Sequence, residues 1–366
     1  MTRRRRRNGV HNVGTKTSRG LKGTMMKKAV LWGVIALSVL AAPTFAGEGD
    51  TVNAIKQRGE LVCGVSTGTA IGLSTLDQSG KWAGLEVDYC HGLAAALLGD
   101  AAKVKFSPLE FKNAFAALQS GSVDILARAA TWTFTRDTEL KFDYGGIYMY
   151  DGQGFMVKKS LGVSKLADLN GASICVSAGT TTELNLSDYF RANKLDYTPI
   201  VANSREQNLA NLDAGRCDAY TNERGGLAAS RLGLSDPDAY VVLDEIISKE
   251  PLGPIVKQDD PLFHDIAAWT LYALIDAEEL GVTQANVTDL AAKSDNPEIQ
   301  RLLGKTGDFG AKLGLANDWV VKIISAVGNY GEIFERNLGS GSPVKLARGL
   351  NNLWTKGGLL YAPPVR

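Results

Sequence analysis

The sequence predicts an α/β fold of two open-sheet lobes, on three observations. Hydrophobic runs of strand length alternate with segments of helical period. The alternating series occurs twice. Two breaker-rich stretches divide the series, as two crossovers between lobes would. In the first series, Leu61-Val62-Cys63-Gly64-Val65 reads as a buried strand. Residues 84–98 carry apolar side chains at 87, 90, 93, 94, 97 and 98, the stripe of a helix. Val104-Lys105-Phe106 is a second strand. Residues 113–119 form a short helix closed by Ser120-Gly121, and residues 123–127 a third strand. This order implies a mostly parallel, open sheet.

The second series begins near Gly154. Phe155-Met156-Val157 and residues 173–176 read as strands, 181–193 as a helix and 218–221 as a strand. Tyr148-Met149-Tyr150-Asp151-Gly152 is the first crossover and Glu250-Pro251-Leu252-Gly253-Pro254 the second. The expected organisation is therefore an outer lobe over 47–149 and 250–295, an inner lobe over 150–249, and an extension over 296–366. A small molecule would sit in the cleft between the lobes. The extension holds helical stretches such as Trp319–Val327 and Gly/Ser/Pro breaks at 339–343.

Residues 1–46 read as a leader. Lys27 and Lys28 precede the apolar run AVLWGVIALSVL, and Ala41-Ala42-Pro43-Thr44-Phe45-Ala46 offers small residues for a cut after Ala46. The run is short of the roughly 20 apolar residues that span a bilayer. The start codon is expected at Met25 or Met26, which leaves the Arg3–Arg7 run outside the protein. Without residues 1–46 the chain keeps 30 basic and 39 acidic side chains, a net charge of −9. An acidic surface argues against nucleic acid and anionic membrane as partners.

The four cysteines, Cys63, Cys90, Cys175 and Cys217, fit an oxidising compartment. No pair has the close spacing of a zinc or redox motif, and no metal or cofactor is expected. Three pairings are open. Cys63–Cys90 and Cys175–Cys217 are favoured because each lies inside one lobe; four buried thiols are the alternative.

Two segments suit an amino-acid zwitterion. Ala129-Ala130-Thr131-Trp132-Thr133-Phe134-Thr135-Arg136 follows a strand, and an arginine fork matches a carboxylate with two parallel hydrogen bonds. Ser177-Ala178-Gly179-Thr180-Thr181-Thr182-Glu183 joins a strand to a helix. Thr180 and Glu183 have capping-box spacing, and a helix N-terminus offers free N–H groups to an anion. A surface loop with a solvated arginine and an ordinary capped helix are the alternatives for each segment alone.

With these pieces go LVCGV, GLEVDYCHGLAAAL, EFKNAFAALQSGSVDILARAATWTFTRD, SICVSAGTTTE and AGRCDAYTNE. In this order and spacing, over about residues 61–290, the chain resembles the polar-amino-acid family of extracellular solute-binding proteins. The cysteines, GTTTELNLSDYF and the C-terminal extension resemble its general L-amino-acid-binding branch. The resemblance implies a type II periplasmic-binding-protein fold and a monomeric periplasmic protein that hands L-amino acids to an inner-membrane ABC permease. It implies roles residue by residue. Arg136 would clamp the ligand α-carboxylate, with Thr131 beside it and Thr181 at the helix N-terminus. The Ala129 carbonyl would take the α-ammonium, and Phe111 would wall the side-chain pocket. Glu223 stands where the family has an aspartate that pairs with the ammonium; a salt bridge to Arg224 is its other reading. The small residues of Ser66-Thr67-Gly68-Thr69-Ala70-Ile71-Gly72 replace an aromatic cover, which implies broad specificity.

Other classes fit less well. Gly64-Val65-Ser66-Thr67-Gly68 matches a serine-hydrolase elbow, but the residues after it are not helical. Gly304-Lys305-Thr306 ends like a phosphate loop, but Ile299 stands where its first glycine should be. A cleft enzyme such as a dehydratase of a small carboxylic acid would need an acid or base in the cleft, and Glu223 is the one candidate. A sensing domain would need a signalling module, and none follows.

Overall fold

The computed structural model describes residues 49–366. The expected leader and signal segment lie outside the described residues. In the outer lobe, Leu61–Val65 forms β1 and Leu85–Leu98 forms α1. Val104–Pro108 is β2, Phe111–Gln119 is α2, Ile125–Leu126 is β3 and Phe142–Tyr144 is β4. The chain then crosses on β5, Met149–Asp151. In the inner lobe it forms β6 (Gln153–Lys158), β7 (Ala172–Ser177), α3 (Thr181–Ala192) and β8 (Tyr197–Ala202). There follow α4 (Arg205–Asp213), β9 (Ala219–Glu223) and β10 (Tyr240–Val242). It returns on β11 (Glu250–Leu252) into β12 (Ile255–Lys257) and the long helix α5 (Pro261–Glu279). The extension carries α6 (Trp319–Val327) and α7 (Tyr330–Asn337).

The outer sheet has the order β2-β1-β3-β12-β4 and the inner sheet β8-β7-β9-β6-β10. β1 runs parallel to β2 and β3, and β7 parallel to β8 and β9. β12 and β6 are antiparallel to both of their neighbours. The sheets are therefore mixed, where the alternating pattern predicted mostly parallel ones. The reason lies in the crossovers. β6 and β12 each enter a sheet directly from the other lobe, so they come in from the cleft end and run against the strands already there. The third outer strand is also shorter than expected, since only Ile125 and Leu126 of 123–127 keep strand pairing.

The two crossovers pair with each other. β5 and β11 form an antiparallel ladder with Met149 opposite Leu252, Tyr150 opposite Pro251 and Asp151 opposite Glu250. Proline is tolerated there because a two-stranded ribbon leaves each strand an edge that needs no ladder donor.

The extension packs into the outer lobe. Its Trp319, Val320, Ile323, Ile324, Val327, Tyr330 and Phe334 are buried in one core with Leu93 and Leu97 of α1 and Leu271 and Leu274 of α5. Gly92 makes this approach possible: a Cβ there would stand 3.3 Å from Ile323 Cγ2 and 3.5 Å from Val327 Cγ2. The extension also holds the first crossover. The Tyr330 hydroxyl donates to the Tyr148 carbonyl at 2.6 Å, and the Asn351 side chain accepts from Tyr150 N–H and donates to its carbonyl.

The cysteines form Cys63–Cys90 and Cys175–Cys217. The first ties β1 to α1 in the outer lobe; the second ties β7 to the approach of β9 in the inner lobe. Each bridge closes a loop, of 27 and 42 residues' separation, that would be open in the unfolded chain. Replacing Cys175 and Cys217 together by alanine should lower the unfolding free energy by about 2–4 kcal/mol, read by urea denaturation. Peptide mapping without reductant should recover only the two intralobe pairs.

Candidate ligand-binding cleft

The cleft wall is built from the carboxyl ends of six parallel strands. Ser66 and Thr67 follow β1, Glu110 and Phe111 follow β2, and Arg128, Ala129 and Thr131 follow β3. From the inner lobe, Ser177 ends β7 and Thr180 and Thr181 follow it, Asn203 to Arg205 follow β8, and Glu223 ends β9. Ligands of open α/β sheets bind at this edge, where neighbouring connections leave to opposite faces and open a crevice. The cavity measures about 70 Å³, and the lobes touch across it. Thr67 and Thr69 of the outer lobe both donate to Glu206 of the inner lobe. Lys112 Nζ reaches Asn203 Oδ1 at 3.4 Å.

Five of the six residues singled out from the sequence line this cavity: Phe111, Ala129, Thr131, Thr181 and Glu223. Thr131 and Thr181, from opposite lobes, have hydroxyls 3.3 Å apart. Ala129 has φ 42°, a left-handed conformation that costs a residue with a Cβ of order 1–3 kcal/mol. Its N–H is held by Glu86 Oε1 at 2.5 Å and by the Tyr148 hydroxyl at 3.1 Å. Glu86 is fully buried and also accepts from Ser74 at 2.8 Å. Burial raises its carboxyl to about 7, against the opposing pull of these donors and of Arg128.

Arg136 is placed differently from the expectation. It does not line the cavity. Its Nη1 donates to the Thr131 carbonyl at 2.7 Å, an acceptor shared with the Tyr144 hydroxyl. Its guanidinium lies 5.0 Å from the Phe115 ring centre and 5.2 Å from that of Phe111. The carbonyl and the two aromatic faces hold it one layer behind Thr131, which it anchors. The arginines in the cavity wall are Arg128 and Arg205. Neither was singled out from the sequence. An arginine between Ala127 and Ala129, at the end of a buried strand, was the available signal; Ser204-Arg205-Glu206-Gln207 carried the capping-box spacing of α4.

The capping of α3 follows the expectation with one shift. Thr180 Oγ1 accepts from the Glu183 N–H at 3.2 Å, while the Glu183 carboxylate accepts from Gly179 rather than from Thr180.

Glu250 was read only as part of a breaker-rich crossover. It is 1 % exposed and accepts four side-chain hydrogen bonds. Thr131 and Thr181 donate to Oε2 at 2.5 and 3.0 Å; Asn185 and Ser248 donate to Oε1 at 2.8 and 2.5 Å. One carboxylate on the crossover thus binds side chains of both lobes.

Glu223 makes no ion pair with Arg224, whose guanidinium pairs with Asp244. Burial raises the Glu223 carboxyl to about 7, with further upward pushes from Glu250 and Asp151. Its folded pKa therefore lies above the ordinary 4.5. Between those two pH values the folded chain holds more protons than the unfolded one, so this group's contribution to stability falls as pH rises from about 4.5 to about 7. Glu223→Gln should raise the stability of the unliganded protein by about 1–2 kcal/mol at pH 8 and leave it nearly unchanged at pH 4, read by denaturation at the two pH values.

Comparison with known proteins agrees with this architecture. Residues 61–302 match the model of bacterial extracellular solute-binding proteins, family 3. A general L-amino acid-binding periplasmic protein of Rhizobium johnstonii is 52% identical over 343 residues, 93% of this chain and 100% of its own length. A glutamate/glutamine/aspartate/asparagine-binding protein of Rhodobacter capsulatus is 50% identical over 341 residues, again 93% and 100%. Among solved structures, a periplasmic binding protein of an ABC transporter from Brucella ovis, with glutathione bound, has a TM-score of 0.84 at 55% identity. That match covers 86% of this chain and 99% of the other. The chain belongs to the bacterial extracellular solute-binding proteins, family 3.

Proposed function

We propose that the protein captures L-amino acids in the periplasm for an ABC importer, by holding the α-ammonium and α-carboxylate between its two lobes. The observation that carries this reading is the pairing of opposite charges in one small cavity at the carboxyl ends of the strands. Glu223 and the carbonyl side of Ala129 suit an ammonium. The hydroxyls of Thr131 and Thr181 donate to Glu250, so what they offer a ligand is lone pairs, which also suit an ammonium. The carboxylate is met by N–H groups at the start of α3, which have no partner within the helix, and by the positive end of its dipole. Arg136 serves the same shared part of the ligand by fixing Thr131, and Phe111 walls the side chain.

The names of the relatives support this assignment, since two of them are described as amino-acid-binding. An enzyme on this scaffold finds less support. Glu223 would be its acid or base, and the same carboxylate is the ammonium partner in the present reading.

Calorimetry tests the proposal. Alanine, leucine and glutamate should each bind with one-to-one stoichiometry, and propionate should bind at least a hundredfold more weakly than alanine, because it leaves Glu223 and the threonine lone pairs unmatched. Arg136→Ala should weaken all three amino acids by a similar factor. A ligand ammonium lowers the Glu223 pKa, so alanine affinity should rise with pH up to about 7 and Glu223→Gln should flatten that rise. Propionate binding as tightly as alanine, or turnover of any ligand, would overturn the reading.

A further inference from the structure

The cavity holds more charge than an amino acid's shared groups require. With Glu223 assigned to the ammonium and the α3 N-terminus to the carboxylate, Arg128, Arg205 and Glu110 remain in the wall. The two arginines come from opposite lobes. Arg128 follows β3; Arg205 is the first residue of α4. Each guanidinium is pinned along one edge and open along another. Arg128 Nε donates to the Leu109 carbonyl at 2.9 Å, and its Cζ lies 4.9 Å from the centre of the Phe111 ring. Arg205 Nη1 donates to the Gly226 carbonyl at 3.1 Å and to Ser230 Oγ at 2.9 Å. That leaves the two Nη groups of Arg128 and the Nε–Nη2 edge of Arg205 with no protein acceptor among the described residues. Neither arginine has a carboxylate within salt-bridge distance there, although eleven other ion pairs are formed.

This arrangement favours an anion. Burial pulls the Arg128 pKa down to about 10 and Arg205 adds to that pull, against the opposing charges of Glu86, Glu110 and Glu223. Two cations brought together by closure of the lobes repel one another, whereas an anion between them is bound by charge-assisted hydrogen bonds from both sides. A fork pinned at one edge is also pre-organised, which reduces the rotamer entropy lost on binding.

We propose that Arg128 and Arg205 form a second anion subsite in the cleft that takes the distal carboxylate of the ligand. The inference rests on the amino-acid reading above and adds a ligand class to it: α-amino acids that carry a second carboxylate. The shared chemistry has two sources, the side chain of a dicarboxylic amino acid and the far end of a small acidic peptide. Glu86 and, more weakly, Glu110 lend Arg128 opposite charge, so a neutral or amide side chain still fits the wall. Breadth and preference then coexist in one site. The α-groups admit many ligands, and the arginine pair ranks them.

The test compares glutamate with glutamine, which differ by one charge at nearly constant shape. In the unaltered protein, glutamate should bind at least tenfold more tightly than glutamine, and the ratio should shrink with added salt. In Arg128→Ala and in Arg205→Ala the ratio should fall to within about threefold of one. The double variant should lose little more than either single, because both arginines grip one carboxylate. Arg128→Lys, which keeps the charge without the fork, should give an intermediate ratio; this variant and Arg205→Ala carry the test if Arg128→Ala does not fold. Glutathione titrated into the same proteins separates the sources: a loss confined to glutamate assigns the subsite to side chains, and a parallel loss of glutathione extends it to peptides. Equal binding of glutamate and glutamine by the unaltered protein, or a ratio preserved in both alanine variants, would overturn the subsite while leaving amino-acid capture standing. Failure of alanine, leucine and glutamate alike to bind would instead overturn the capture reading itself.

Discussion

One carboxylate holds the two halves of the cleft together. Glu250 lies on the return crossover, almost without solvent contact, and receives Thr131 from the outer lobe and Thr181 and Asn185 from the inner lobe. A buried carboxylate without partners costs several kcal/mol, so four donors converging on it define a geometry that few other arrangements satisfy. The crossover ladder sets the distance between lobes, and Glu250 sets their registration at the point where a ligand would sit. It also fixes the chemistry on offer, because a threonine hydroxyl that donates to Glu250 is left with acceptor character toward the cavity.

The same concentration of carboxylates is costly to bury. Glu223 and Asp151 are both raised, Glu223 to about 7 and Asp151 to about 6, chiefly by burial. The strained turn at Ala129 adds to this, held by a buried Glu86 that is itself raised. Proteins keep such unfavourable groups at binding sites because a ligand of opposite charge relieves them, and the relief appears as affinity. The rigid cores on either side, each stapled by a disulfide, supply the stability against which this local cost is set.

Much of this was legible in the sequence, for identifiable reasons. β1, α1, α3 and α6 follow apolar periodicity that no long-range contact had to override, and their ends fall within a residue of expectation. The cysteine pairing was legible because each pair sits inside one α/β series. What periodicity does not carry is strand direction after a crossover, so the mixed sheets were missed. Nor does it carry side-chain aim. Arg136 occupies the expected backbone position, yet two phenyl rings and a carbonyl hold its guanidinium behind the wall. Arg128 and Glu250 were passed over because one looked like strand-end decoration and the other lay between a lysine and a proline, where chain breaking was the louder signal.

The clasp of the extension on Tyr150 has a mechanical consequence. Asn351 bonds both the N–H and the carbonyl of that residue, as a neighbouring strand would, and Tyr330 holds Tyr148. The outgoing strap between the lobes is therefore braced, and the braces come from the outer-lobe side. The returning strap at Pro251 bonds to the backbone of Trp132 and through the ladder, and Glu250 on it takes hydrogen bonds from side chains of both lobes. The two straps are thus tied to different things: the outgoing one to braces that stay with the outer lobe, the returning one to a carboxylate shared by both lobes. Parting the lobes must break bonds at Glu250 while leaving the braces at Tyr148 and Tyr150 intact, so the outgoing strap is the natural pivot.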